Sequence, residues 1–432
     1  MRATCITRRA QRLFASTDTD QTCVPDTHLE FFQWNSSQGT LYDLIVTSRL
    51  LGSAMPKGFN HGLLLTLLGL SFVGTSANAT DSWTFTGSLN TARSDLAAAR
   101  LPSGKVIVAG GDSWNGSAYT YFASAEVHDP ASGHWTITGP LSTARSRHSL
   151  TVLPSGRALV AGGFGNAGYT DIAELYDPTS GTWTTTGTLG VSRMRHDAIV
   201  LPNGKTLVFG GLNDADGALA SAELYDEVTG QWTPTGQLAE ARWAPASVLL
   251  DSGQVLVTGG INGSNALSSA ELYDPATGMW AATGSMNYAR GQHTATRMDS
   301  GKVLVAGGNN SWGPIAVAEI YDPATGTWSM VPALGTARNY HRASLLPSGK
   351  VLVIGGYAGS GQYLGGTESF DPTSGLWSPA ATMSTSRATF STVTLSPGVI
   401  MAIGGRNGSG AVATTEIYGD VILRDGFDGA TP

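Results

Sequence analysis

The chain has 432 residues, 41% of them hydrophobic and 13% charged, with 25 Lys/Arg against 32 Asp/Glu for a net charge of −7. This is the composition of a folded globular protein and excludes a disordered one. The acidic balance argues against nucleic acid and anionic membrane as partners.

Residues 1–54 hold both cysteines, Cys5 and Cys23, and show no periodicity. From Met55 to Ala79 the pattern changes: Lys57 and His61 precede an apolar core, Leu63 to Val73, and Ala77-Asn78-Ala79 follows. A charged start, a short apolar core and an A-x-A site are the marks of a secretory signal peptide. The core falls short of the roughly 20 apolar residues a membrane span needs. A signal peptide works only at the start of a chain, so Met55 is the expected start and residues 1–54 are upstream translated sequence. Cleavage after Ala79 leaves no cysteine, hence no disulfide, thiol nucleophile or thiolate metal site. It also leaves 19 Lys/Arg against 27 Asp/Glu, a net charge of −8. The expectation is an exported monomer with no membrane insertion once the leader is removed.

Between residues 80 and 419 one pattern recurs. A Gly-Gly pair ends at Gly111, Gly163, Gly211, Gly260, Gly308, Gly356 and Gly405. A tryptophan falls at Trp83, Trp135, Trp183, Trp232, Trp280, Trp328 and Trp377, and a glutamate at Glu126, Glu174, Glu223, Glu271, Glu319, Glu368 and Glu416. After a first interval of 52, the Gly-Gly pairs and tryptophans each return every 48 or 49 residues. Such a period marks a repeat architecture.

Each copy reads as four short strands. Strand a, His341 to Leu346 in the sixth copy, ends in a turn such as Pro-Ser-Gly, where glycine supplies positive φ. Strand b, Val351 to Ile354, is apolar on successive residues and therefore buried on both faces. The Gly-Gly after it suits a bend where neighbours approach closely. Strand c carries Glu-x-Tyr-Asp-Pro and stops at the proline, and strand d carries the tryptophan. A short tail, residues 420–432, follows and resembles Asp-Gly-Phe tails on some exported bacterial proteins.

A four-stranded unit of this length and signature resembles the Kelch repeat, and the array resembles a Kelch β-propeller. The resemblance implies an all-β fold of seven four-stranded blades. The first landmark is a lone strand d around Trp83 and the last is strand c at Glu416, so the N-terminal strand is expected to complete the seventh blade and remove the open edge.

In such blades the b–c loop and the loop from d to the next a lie on one face, so residues after Gly-Gly and around Arg-x-x-His converge at one mouth. The seven arginines there (Arg93, Arg145, Arg193, Arg242, Arg290, Arg338 and Arg387) form either an anion-binding ring or, with one glutamate per copy, a repeated structural pair. The structural pair is the expected reading. His148, His196, His293 and His341 share a position that holds Leu96, Pro245 and Phe390 in the other copies, which favours a packing slot over metal ligation.

Arg338-Asn339-Tyr340-His341, with its Leu-Pro-Ser-Gly turn and Gly-Gly, resembles the propeller segment of galactose oxidase. The resemblance implies Tyr340 and His341 as copper ligands. The propeller lacks the cross-linking cysteine that family needs, and Gln292 stands where its second tyrosine would be. No Gly-x-Ser-x-Gly, His-Glu-x-x-His or phosphate loop appears either, so no catalytic residue is assigned and no cofactor is expected. Loop aromatics are the expected ligand contacts: Trp114, Tyr119 and Tyr121 in a long first-blade loop, with Trp243, Trp312, Tyr340 and Tyr357. With neighbouring Asn and Asp side chains they suit a glycan or a protein partner. The alternative is a carbohydrate-active enzyme of the galactose-oxidase or sialic-acid-mutarotase type.

Overall fold

Four successive buried residues make each strand b. In the fifth copy Val303-Leu304-Val305-Ala306 is at most 1% exposed, and the equivalent runs in the other copies are buried likewise. Each fully buried aliphatic side chain contributes about 1.5–3 kcal/mol, so this strand anchors its sheet. In the computed structural model, residues 81–419 are described. The expected leader, residues 1–54 and the tail lie outside the described residues.

The described residues form seven four-stranded antiparallel sheets with strand order a-b-c-d. Blade 5 is typical: Thr294–Arg297, Val303–Ala306, Ala318–Asp322 and Thr327–Val331. Innermost strands contact those of both neighbouring blades, and the strand a of blade 7 contacts those of blades 6 and 1, which closes the ring. Blade 7 takes Ser391–Ser396, Val399–Ile403 and Thr415–Gly419 from the C-terminal end and Ser82–Thr86 from the N-terminal end. Trp83 pairs with Tyr418 in that last ladder, as the order of landmarks predicts. All-β, seven-bladed and closed by the strand around Trp83, the architecture matches the expectation.

Each tryptophan of strand d packs on the aromatic ring of the neighbouring strand c, with centroids 5.0–5.3 Å apart in all seven blades. Several reach across the seam as well: Trp280 Nε1 donates to Gly236 O at 2.7 Å and Trp328 Nε1 to Gly284 O at 2.6 Å.

Two details differ from the sequence reading. Strand a of blade 6 runs Arg342–Leu345, one residue shorter at each end, because His341 turns into the seam and Leu346 N closes the turn on Lys350 O at 2.8 Å. In six blades the b–c connection forms its own small hairpin, whereas in blade 6 strands Val351–Tyr357 and Tyr363–Asp371 run straight through it.

Candidate functional site

The mouth is built on the Arg-x-x-His segment. Every first arginine is at most 1% exposed and donates Nη2 to the glutamate of its own blade's strand c. In blade 5, Arg290 also donates Nη1 to Gly307 O (3.0 Å) and Val317 O (2.7 Å), and Nε to Tyr288 O (3.2 Å). Glu319 in turn accepts Asn287 N (2.7 Å), Asn287 Nδ2 (2.8 Å) and Tyr288 N (3.1 Å). These arginines therefore fasten the entering loop to strand c, and their donors are spent inside the protein.

Gly-Gly is needed for the same reason. A Cβ on Gly307 would sit 2.6 Å from Arg338 O and 2.7 Å from the His341 ring. Gly307 and Gly308 have φ of 60° and 107°.

With the loop fastened, the next three residues take fixed tasks. The first pairs with the residue after Gly-Gly, as Trp243 does with Ile261 and Asn339 with Tyr357. The second adopts left-handed backbone in all seven blades: Asp95, Arg147, Arg195, Ala244, Gln292, Tyr340 and Thr389 have φ of 47–56°. For residues with a Cβ this conformation costs about 1–2 kcal/mol each. Its return is a closed ring, in which each N–H donates to the carbonyl of the corresponding residue in the preceding blade at 2.9–3.3 Å, ending with Asp95 N on Thr389 O. The third residue, histidine in four blades, turns into the seam.

His196 Nε2 lies 2.9 Å from Ser149 Oγ, His293 Nε2 2.8 Å from Thr258 Oγ1, and His341 Nε2 3.0 Å from Thr294 Oγ1. Burial, reinforced by nearby arginines, lowers the pKa of His148, His196 and His341 to about 3. These rings are neutral packing groups at pH 7. The Tyr340 hydroxyl, by contrast, accepts Arg195 Nη1 at 2.7 Å, so Tyr340 and His341 serve separate partners. Among the described residues no group of three or more His, Cys, Asp or Glu is gathered as for a metal. Nor is any helix there long and apolar enough to cross a membrane.

The ring residues open onto a central cavity of about 380 Å³, also lined by Asp197, Ser247 and Arg342 from the innermost strands. An adjoining cavity of about 490 Å³ shares Arg147, Arg195 and Tyr340 with it and is walled by Trp243, Met194 and Leu212. Arg195 lies over the rings of Trp243 (5.7 Å) and Tyr340 (5.2 Å). Arg147 sits over Tyr119 at 5.6 Å, with Nε 3.5 Å from Asp95 Oδ2 and Nη2 3.7 Å from Asp112 Oδ2. Burial, with Asp95 nearby, raises the Asp112 pKa, while Ser94 Oγ donates to its Oδ1 at 2.7 Å. Asp197 is likewise raised by burial and accepts Ser247 Oγ at 2.7 Å.

The loop aromatics fall into separate groups. Trp114 and Tyr119 (4.7 Å), then Tyr121 (6.1 Å from Tyr119), continue to Phe164 and Tyr169 of blade 2. Trp243 and Tyr340 flank Arg195. Tyr357 packs on Tyr363 with centroids 5.1 Å apart and rings tilted, and Trp312 stands apart, 95% exposed. Sequence reasoning missed Arg147, Arg195, Arg342 and the aspartates around them. Their signal was available: they occupy fixed repeat positions at which the residue type changes from blade to blade.

The Kelch motif matches residues 198–238, 242–287, 290–335 and 338–384, which are blades 3 to 6. No curated protein matches the chain. The other three blades carry the same buried pair, Arg93–Glu126, Arg145–Glu174 and Arg387–Glu416. Four Kelch motifs set in a closed ring of seven four-stranded blades make the chain a Kelch-repeat β-propeller.

Proposed function

We propose that this protein is an exported recognition protein that holds a glycan in the two adjoining cavities at its loop-bearing mouth. Kelch propellers are general scaffolds for protein binding, and fold alone does not name a ligand. The observation that carries the proposal is the contrast between frame and ring. Beneath the mouth all seven blades use the same Arg–Glu pair, while the seven ring positions above it hold Asp, Arg, Arg, Ala, Gln, Tyr and Thr. The fold dictates the first set and leaves the second free to encode a ligand. Cavities of this size, with aromatic faces beside a few fixed polar groups, suit a saccharide.

A protein partner is the second reading, favoured by Trp312, whose side chain is fully presented to solvent on a b–c hairpin. Exposed tryptophans are frequent anchors of protein interfaces.

A thermal-shift screen of the protein against a glycan panel tests the proposal. A ligand at 100-fold over its Kd stabilises the folded state by about 2.7 kcal/mol. The expected result is a shift that Trp243→Ala abolishes. A glycan shift indifferent to Trp243→Ala and Trp114→Ala would refute a mouth site. A partner protein whose binding needs Trp312 alone would replace the glycan reading by the second one.

A further inference from the structure

We propose that the glycan is acidic, and that a carboxylate on one of its sugar residues seats between Arg342 and Arg195 in the central cavity. This rests on the recognition reading above and specifies its ligand.

In the frame and the cavity wall the other arginines are paired with carboxylates. All seven frame arginines have a glutamate oxygen within 2.9 Å. Arg147, in the cavity wall, has Asp95 and Asp112 beside it. Arg342 and Arg195 line the same cavity, yet among the described residues neither has a carboxylate within 4 Å. Arg342 donates Nε to Phe390 O at 2.7 Å, and its two Nη groups find no acceptor among the described residues. Arg195 spends only Nη1, on the Tyr340 hydroxyl.

Acids are present in this wall but are committed elsewhere. Asp95 faces Arg147, and Asp197 accepts Ser247 Oγ at 2.7 Å and Ala198 N at 2.9 Å. Arg342 is exposed to the channel, with Asp95 and Asp197 the acids nearest its charge but not paired with it. Its planar fork is built to take a carboxylate through two parallel N–H bonds.

The surroundings favour a sugar as the carrier. Trp243 and Tyr340 offer ring faces in the adjoining cavity. In the central cavity wall Ser247 Oγ, whose proton goes to Asp197, can accept from a sugar hydroxyl, and Gln292 Nε2, whose amide oxygen is held by Asn339, can donate to one. Together the two cavities give room for more than one sugar unit, with the acidic one beside Arg342.

The test is calorimetric titration of the protein with oligouronides, with their neutral counterparts and with a glutamate-rich peptide. An oligouronide should bind at least ten-fold more tightly than its neutral counterpart. Arg342→Gln should remove that preference, Arg342→Lys should restore part of it, and far-UV circular dichroism should show both variants folded. A neutral glycan that binds as well as any uronide, still through Trp243, would overturn this inference and leave the recognition reading standing. Binding of the acidic peptide alone, lost in Arg342→Gln, would overturn the sugar as carboxylate carrier. Absence of binding by every probe overturns both.

Discussion

Glu319→Gln isolates the frame that holds the mouth. Arg290 and Glu319 are, with Arg387 and Glu416, the most enclosed of the seven pairs, each side chain 0% exposed and 2.7 Å from its partner. The substitution keeps the shape but removes the charge. It leaves the Arg290 guanidinium buried without a counter-ion, and an amide NH₂ replaces one of the two oxygens that accept Asn287 N, Asn287 Nδ2 and Tyr288 N. Breaking a buried pair from one side costs about 3–5 kcal/mol. An unfolding entropy of about 2.1 cal/mol/K per residue over about 340 residues gives ~0.7 kcal/mol/K, so Tm should fall by roughly 4–7 °C. Differential scanning calorimetry reads this directly. The double variant Arg290→Met/Glu319→Leu carries no stranded charge but unpairs the Gly307, Val317 and Tyr288 carbonyls and the Asn287 and Tyr288 N–H groups, so its loss should be clearly less than the sum of the two single losses rather than abolished. A fall below about 1 °C for Glu319→Gln, or a double variant worse than the single one by the full cost again, would refute the view that these pairs act as coupled buried units.

The seam histidines make stability pH-dependent in a stated direction. Their folded pKa, about 3 for His148, His196 and His341, lies below the unfolded value near 6.5, so the unfolded chain binds more protons. The stabilisation is therefore complete above pH 6.5 and is lost as pH falls towards 3, at up to about 1.4 kcal/mol per pH unit for each histidine. His341→Phe, which copies the Phe390 slot of blade 7, should flatten the decline of Tm between pH 6.5 and 4.5; an unchanged slope would show that His341 is not neutral in the fold. Export predicts a mature chain that begins at Thr80, and mass spectrometry of the native exported protein should find no peptide from residues 1–54. Recovery of such a peptide would sink the signal-peptide reading.

Most of the fold was legible because a propeller repeats its constraints. Strand b had to be apolar on both faces, the turn glycine had to take positive φ, and the lone strand around Trp83 had no partner except the last blade. The Arg–Glu frame was legible as well, since one of each per copy leaves symmetry as the simplest pairing. The mouth was harder to read. Trp114, Tyr119 and Tyr121 do gather, and so do Trp243 and Tyr340, but their common partners Arg147 and Arg195 sit at a position that holds six residue types in seven blades. What recurs there is a backbone conformation, left-handed in all seven blades, and side-chain identity does not announce it when only glycine or asparagine is expected in that region. Arg342 was hidden differently: it lies inside the strand read as His341 to Leu346, and only the side-chain contacts show that it meets the channel with no carboxylate beside it.

Completion of blade 7 by the first strand has a consequence for how the chain is made. Asp81 meets Tyr418 across 337 residues, its Oδ2 accepting the tyrosine hydroxyl at 2.6 Å. Strand Ser82–Thr86 is among the earliest described segments to leave the ribosome, and its partner Thr415–Gly419 is the latest. Throughout synthesis the early blades can assemble one against another, while the clasp waits. Until it closes, two sheet edges stand open to pairing with other chains. A contact of such long range carries a loop-closure cost that local pairings within a blade do not. Truncation by a few residues at the C-terminal end of that clasp would therefore undo the ring as a whole, whereas a cut in a b–c hairpin tip would leave it closed.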